Sequence, residues 1–283
     1  MLLITGSTGH VGTEVVRQLA AAGHKVRALV RDARDAAHKF PTTVDIVVGD
    51  LDNIDSLVNA MKNVEKLYLL SPLTPSLVKH DANVIDAAKR SKIKHVVKHS
   101  VLGAQYEAIT LSKWHRTGEK TLEASGMAWT HLRPSGFFTN TLAWTQMIKS
   151  TGTVYYPTGD GRVGLVDPRD IAAVAMRVLT ENGHEAKSYD VTGPKALSTQ
   201  EQLDIIGRTV GKPLNYVNVP DQAARDSMLG QGLPTQIVDV MIEFCGVIRQ
   251  NQAALVTDTV QRVGGRQPRT FEAWVQENVG WFK

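Results

Sequence analysis

The chain has 283 residues, 42% hydrophobic and 21% charged, and a net charge of +4 from 32 basic and 28 acidic side chains. This is the composition of one large globular domain, or of one domain with a smaller appendage, and it excludes a disordered chain, a collagen and a coiled coil. The single cysteine, Cys245, excludes a disulfide framework or a cysteine-based zinc site and fits a reducing, cytoplasmic setting. The charge balance suits an anionic ligand and is too even for nucleic acid.

Met1-Leu2-Leu3-Ile4 has no basic region before it and stops at Thr5-Gly6, so no signal peptide is expected. The first half then alternates short β-branched runs with amphipathic stretches. Strands are expected at Leu2–Thr5, Lys25–Val30, Val44–Val48, Lys66–Leu70, His95–His99 and Trp129–Leu132. Helices are expected at Val11–Ala22, Ile54–Met61, Val78–Ala88 and Trp114–Ala124, with Gly23 ending the first. Such alternation implies right-handed crossovers and a parallel sheet covered on both faces, an α/β Rossmann-type doubly wound fold. After Leu132 the rhythm breaks into an irregular turn, Arg133 to Phe138, and a glycine-rich loop, Tyr155 to Leu165. Pro134 to Ile148 is too short and too polar to cross a bilayer. A helix over Asp167–Leu179 and a strand over Ser188–Val191 return to the sheet. Ser198 and Glu201 form a capping-box pattern ahead of Thr199–Val210. The expected division is residues 1–134 and 164–194 in the nucleotide domain. Residues 135–163 and 195–283 form a smaller, mostly helical, C-terminal substrate lobe. The apolar helix Ile237–Ile248 fits burial in that lobe, or a homodimer contact.

The strongest motif is Gly6-Ser7-Thr8-Gly9-His10-Val11-Gly12, directly after the first strand and at the start of the first helix. Gly6 permits a tight turn, Gly9 allows backbone to approach a pyrophosphate, and Gly12 lets the helix pack on the sheet. The free N–H groups of the helix then face the anion, with the Ser7 and Thr8 hydroxyls as further donors. At the end of the second strand Arg31 stands where a 2′-phosphate is met, and Asp32 follows where a ribose hydroxyl would be. NADP(H) is therefore expected, with NAD(H) the alternative. Asp50 and Leu51 are placed against adenine, with helix capping as the other role for Asp50. Leu70, Ser71, Pro72, Ser100 and Val101 end later strands, where ligands sit in open sheets.

These residues, with Leu122 to Gly126, Thr130 to Pro134, Val166 to Ala172, Tyr189 to Pro194 and Thr270 to Trp274, resemble the NmrA-like group of atypical short-chain dehydrogenase/reductases. The likeness spans nearly the whole chain. That group includes NADPH:quinone oxidoreductases, triphenylmethane dye reductases and redox-sensing regulators. The resemblance implies an NADPH-dependent reductase passing hydride to a quinone or another conjugated acceptor. Its alternatives are a cofactor sensor without turnover and a dedicated biosynthetic reductase. The usual Tyr-x-x-x-Lys pair is missing. One register places Ile109 and Lys113 at the two positions; the preferred one, set by Glu119, places Leu111 and His115 there. Lys113 and His115 are the candidate catalytic or cofactor-contacting groups. Pro134 and Ser135 are expected on the cofactor, and Phe137, Phe138 and Tyr155 on a flat substrate by stacking. No metal site, no membrane segment and no nucleic-acid surface is expected.

Overall fold

The computed structural model describes residues 1–36 and 38–283. In chain order the first half comprises β1 (Leu2–Ile4), α1 (His10–Ala21), β2 (Val26–Val30), α2 (Ala33–Ala36), β3 (Asp45–Val48) and α3 (Ile54–Ala60). It continues with β4 (Lys66–Leu69), α4 (Leu77–Arg90), β5 (His95–His99), α5 (Thr110–Glu123) and β6 (Ala128–Pro134). The second half holds α6 (Thr145–Ser150), β7 (Thr153–Tyr156), β8 (Arg162–Val163), α7 (Pro168–Thr180), β9 (Lys187–Val191), β10 (Leu197–Ser198) and α8 (Thr199–Val210). It ends with β11 (Asn215–Asn218), α9 (Asp221–Gly230), α10 (Thr235–Arg249), α11 (Thr259–Arg262) and α12 (Phe271–Glu277).

Seven strands form one parallel sheet in the order β3-β2-β1-β4-β5-β6-β9. The strand order reverses beside β1, so β1 and β4 flank the switch point where ligands enter open sheets. One face is covered by α1 and α7, whose Val15, Val16, Leu19, Ile171, Val174 and Val178 pack on Ile4, Ala28 and Val97. The other carries α3 and α4 over Leu3, Leu67, Leu69 and Val96. Adjacent strand residues thus feed opposite layers, which is why these strands read as continuous apolar runs.

The ends of the elements follow local chemistry. Gly23 adopts φ +81° beyond α1, the left-handed conformation that favours glycine. Asp167 caps α7 by accepting from the Arg169 N–H, with Pro168 in the first turn. Ser198 and Glu201 complete their reciprocal capping box at α8. One local expectation is corrected: β6 extends through Arg133 and Pro134, which pair with Asp190 and Val191, because β9 gives them a partner. The mostly helical C-terminal part also holds the short strand Asn215–Asn218, paired in parallel with β7.

A third apolar cluster lies off the sheet. It joins Phe138, Trp144 and Ile148 to Leu203, Ile206, Phe271, Trp274 and Phe282. Phe271 and Trp274 stack with ring centroids 5.8 Å apart, and Phe138 meets Phe271 edge-on at 5.2 Å. Residues of this cluster line one cleft together with residues at the carboxyl ends of β1, β4, β5 and β6. No helix among the described residues is long and apolar enough to cross a membrane.

Candidate functional site: a dinucleotide cleft

Between sheet and lobe lies a cleft of about 1410 Å³. Its floor begins at the glycine turn. Gly6 has φ +59°, and a Cβ there would meet Leu70 at 2.8 Å. A Cβ on Gly12 would lie 2.1 Å from the Gly6 carbonyl oxygen, so α1 sits directly on the turn. Gly12 is therefore a packing glycine and does not line the cleft, whereas Gly6, Ser7, Thr8, Gly9, His10 and Val11 do. No side chain caps α1, and Gly9 N–H is the one loop amide here that turns back onto Gly6. The remaining first-turn amides are the uncommitted donors at the positive end of a twelve-residue helix. That arrangement fits a diphosphate.

One expectation at this turn is corrected. The Ser7 hydroxyl donates to the Leu29 carbonyl at 2.7 Å and is buried. It ties the loop to β2 and offers its backbone, not its hydroxyl, to the cleft. Thr5 plays the matching part on the other side: its hydroxyl donates to Leu70 O at 3.0 Å and accepts from Leu70 N–H at 2.8 Å.

At the end of β2, Arg31 is exposed and lines the cleft. Asp32 is occupied elsewhere: Arg34 donates to both of its oxygens, with Nη2 to Oδ2 at 2.6 Å. The hydrogen bonds from Arg34 hold the Asp32 carboxyl below its ordinary value. Asp50 and Leu51 line the adjoining wall. Asp50 does not cap α3. Asn53 does, accepting from Ser56 N–H, while Asp50 Oδ1 accepts from Asp52 N–H at 3.0 Å.

Deeper in, Leu70, Ser71, Pro72, Ser100, Val101, Pro134 and Ser135 all line the cleft. The Ser135 hydroxyl is spent on the Gly164 carbonyl, so this residue also contributes backbone. Below Ser71 is a pairing that the sequence reading missed. Ser71 Oγ donates to Asp81 Oδ1 at 2.7 Å, and Lys98 Nζ donates to Asp81 Oδ2 at 2.5 Å, both charges fully buried. Gly118 makes the room, since a Cβ there would stand 2.3 Å from Asp81 Oδ2. The available signal was a lysine inside a strand, His95–His99, whose five residues are all buried.

Helix α5 sends the residues of the two registers to different places. Leu111 and His115 line the cleft, one turn apart on the same face. Lys113, half a turn away, is exposed and does not line the cleft. Its candidate role in the chemistry is therefore corrected to a surface position. His115 is buried, and its Nδ1 has no partner. Burial, with Lys98 and His99 nearby, holds this imidazole well below its ordinary pKa. His99, unnoticed in the sequence, also lines the cleft. Tyr68 Oη lies 2.8 Å from its Nδ1, and burial lowers its pKa to about 3. Both histidines are neutral imidazoles at neutral pH.

Phe137 and Tyr155 line the cleft. Phe137 also meets His99 edge-on at 5.9 Å. Phe138 points the other way, into the lobe core against Phe271 and Trp274, and the substrate role expected for it is corrected on that ground. Phe137 is extended (φ −99°, ψ 150°), so consecutive side chains face opposite sides. Trp144, Met147, Tyr156, Met228, Val240, Met241 and Phe244 complete the far wall. Most come from α9 and α10, which put the expected buried helix Ile237–Ile248 against the cleft.

One cluster among the described residues has metal-ligand composition: Glu119, Glu123 and His131. Arg133 already donates to both Glu119 oxygens, at 2.9 and 2.8 Å, and Arg116 reaches Glu119 at 3.0 Å and Glu123 at 2.5 Å. Burial pushes the Glu119 carboxyl up more than any single neighbour lowers it, but the hydrogen bonds, Arg133's foremost, and the nearby positive charges together outweigh burial and bring it down to about 2. The cluster is a salted structural knot that ties α5 to β6.

A parallel sheet in this order, with an uncapped first helix opening into a cleft at the switch point, defines a Rossmann-type dinucleotide-binding protein. More narrowly, the chain belongs to the NmrA-like family, whose model matches residues 1–275. It is 38% identical over 283 residues to an NAD(P)H azoreductase of Xenophilus azovorans, covering 100% of this chain and 99% of that one. It is 34% identical over 286 residues to a (4-alkanoyl-5-oxo-2,5-dihydrofuran-3-yl)methyl phosphate reductase of Streptomyces griseus, covering 100% and 99%. Among solved structures it superposes on an NADPH-dependent quinone oxidoreductase of Escherichia coli in complex with NADPH. There the TM-score is 0.90, with 26% identity and coverage of 98% and 99% of the two chains.

Proposed function

We propose that this protein is an NAD(P)H-dependent oxidoreductase, with NADP(H) preferred, that passes hydride to a quinone or another conjugated acceptor. The observation that carries the reading is continuity. A single cleft runs from the free amides of α1, past Arg31, to Phe137 and an aromatic wall. Two of the proteins it matches over their full length are named for reductions, one with NAD(P)H and one with NADPH.

The bound cofactor supplies the hydride; the chain supplies position and a dry environment. The α1 amides and the glycine turn would hold the diphosphate, and the Arg31 guanidinium would offer charge-assisted hydrogen bonds to a 2′-phosphate. Ser71 has its hydrogen committed to Asp81 and so presents acceptor lone pairs to the cofactor side of the cleft. In the register set by Glu119, His115 takes the place of the lysine of the tyrosine-lysine pair and Leu111 that of the tyrosine, and both line the cleft. A neutral imidazole is a hydrogen-bond donor, not a strong acid. It orients a ribose hydroxyl or polarises an acceptor oxygen, as neutral imidazoles do in other enzymes. An electron-poor conjugated acceptor needs little more, because positioning contributes most of the rate.

The test is oxidation of NADPH, followed by its absorbance, by purified protein with a panel of quinones. Quinone-dependent oxidation above the protein-free blank is expected. A rate equal to the blank with every quinone, in protein that binds NADPH, would leave a cofactor-binding protein without this turnover.

A further inference from the structure

Two neutral imidazoles reach the cleft, and their ring nitrogens are held differently. His99 ends β5 and lines the cleft beside Ser100. Its Nδ1 lies 2.8 Å from the hydroxyl of Tyr68, a fully buried side chain of β4. Its Nε2 has no partner among the described residues and, unlike His115 Nδ1, is not sealed from solvent, so it opens into the cleft. His115 lacks such an anchor, because its buried Nδ1 is unpaired.

The direction of the Tyr68–His99 hydrogen bond follows from counting hydrogens. The phenol has no other hydrogen-bond partner among the described residues. If it accepted from an Nδ1–H, its own hydrogen would be buried without an acceptor, the costly arrangement. The phenol therefore donates, Nδ1 supplies the lone pair, and the proton of the neutral ring sits on Nε2. The ring plane is fixed as well: Tyr68 and Phe137 both pack edge-on against it, with centroids 6.1 and 5.9 Å away. The ring gains no second proton, since burial and the neighbouring Lys98 charge hold its pKa down to about 3. Tyr68 keeps its own proton, because burial raises the phenol far above its ordinary value. The pair is a fixed hydrogen-bond donor and not a proton relay.

We propose that His99 Nε2–H donates to the quinone oxygen that gains negative charge as hydride arrives, with Tyr68 as the positioning residue that sets its tautomer. The inference rests on the reductase reading and divides two tasks between two imidazoles. His99, against Phe137, serves the acceptor, and His115, on α5, is left to the cofactor ribose. A neutral donor aimed where charge develops lowers the barrier without being consumed. The acceptor gains a hydride from the reduced cofactor, which is oxidised, and the acceptor oxygen then takes a proton from solvent. No proton leaves the imidazole.

Two measurements test this. The first is long-range proton–nitrogen correlation NMR on histidine-labelled protein, with the His99 signals assigned by their loss in His99→Gln. The proton should sit on Nε2, and that signal should move when 2-methyl-1,4-naphthoquinone is added to protein loaded with NADP+, a mixture in which nothing is reduced. A proton on Nδ1, or an Nε2 signal indifferent to the quinone, would overturn the inference, and neither result depends on turnover. The second is steady-state kinetics with NADPH and the same quinone. His99→Leu should lower kcat about tenfold or more and leave Kd for NADPH within about twofold, the pattern of a contact made in the transition state. His99→Gln, whose amide donates, should recover part of the loss. Tyr68→Phe keeps the ring packing; its kcat should fall several-fold, and its His99 signals should report mixed tautomers. Unchanged kcat in His99→Leu, or equal loss in the Leu and Gln variants, would overturn the inference while leaving the reductase intact. If His99→Leu does not fold, Tyr68→Phe takes its place, and unchanged kcat there overturns the inference. A wild type without turnover defeats the reductase reading by itself, and the NMR arm then decides.

Discussion

Replacing Arg31 isolates the cofactor preference. Its guanidinium is exposed at the carboxyl end of β2 and lines the cleft, while the neighbouring Asp32 is clasped by Arg34. One residue thus offers an unspent cation for a 2′-phosphate, and the acid suited to a free ribose hydroxyl is engaged. Arg31→Ala removes a charge-assisted interaction worth about 1.5–3 kcal/mol, which is about 10- to 150-fold in Kd for NADPH. NADH has no phosphate at this place and should lose almost nothing. Arg34→Ala is the companion. It frees the Asp32 carboxylate, which repels the phosphate and accepts from a ribose hydroxyl, so NADPH weakens and NADH tightens. The pair is solvent-exposed, so the second effect is the smaller. Titration calorimetry with NADPH and NADH on the wild type and both variants reads all six affinities. Parallel loss of both cofactors in Arg31→Ala would refute the assignment, because the residue would then be supporting the fold of the loop.

Further outcomes follow from the same geometry. Gly118→Ala drives a methyl group against the buried Asp81–Lys98 pair and should cost about 3–5 kcal/mol, the scale of breaking such a pair. Urea unfolding measures it, and a loss below 1 kcal/mol would show that the pair can shift. His115→Ala should lower quinone turnover by about tenfold or more, the loss of one hydrogen bond in a dry site. Lys113→Ala, an exposed change, should stay within about 0.5 kcal/mol of wild type in stability and leave turnover intact. If steady-state kinetics find the reverse order, the helical register is wrong.

Acid should destabilise the protein early. Burial lowers His95 and His131 to about 4 and His99 to about 3, against an ordinary 6.5. A base whose folded pKa is depressed contributes its full stability above 6.5 and loses it as pH falls from there toward the folded value. Each of the three loses about 1.4 kcal/mol per pH unit in that window, so pH 5 removes about 6 kcal/mol together. Glu119, depressed to about 2 from 4.5, adds a further loss only below pH 4.5. Thermal melts from pH 8 to 4 should show Tm constant above 7 and falling steeply below 6.5. A flat Tm down to pH 5 would mean that these histidines are hydrated.

Neighbouring side chains with similar sequence signatures end up in different places. Phe137 and Phe138 are adjacent and equally apolar, but only Phe137 meets the cleft, because an extended backbone sends consecutive side chains to opposite faces. The same holds for Ser7 and Thr8, whose hydroxyls differ only in that a carbonyl of β2 lies within reach of the first. His99 and Lys98 announce themselves weakly, as polar residues beside Val96 and Val97 in a buried strand. What they do depends on Tyr68 and Asp81, 31 and 17 positions earlier.

By itself the sequence determined the strand–helix alternation, the uncapped glycine turn and the cation at the end of the second strand. These are short-range matters: a glycine's φ, a helix's first amides and a β-strand's apolar run depend on a few consecutive residues. Tertiary structure alone decided the substrate side. α9 and α10 reach the cleft from some 90 residues beyond Phe137, and their packing angle selects which of many apolar side chains face inward. The aromatic wall is a property of that selection, and no local pattern encodes it.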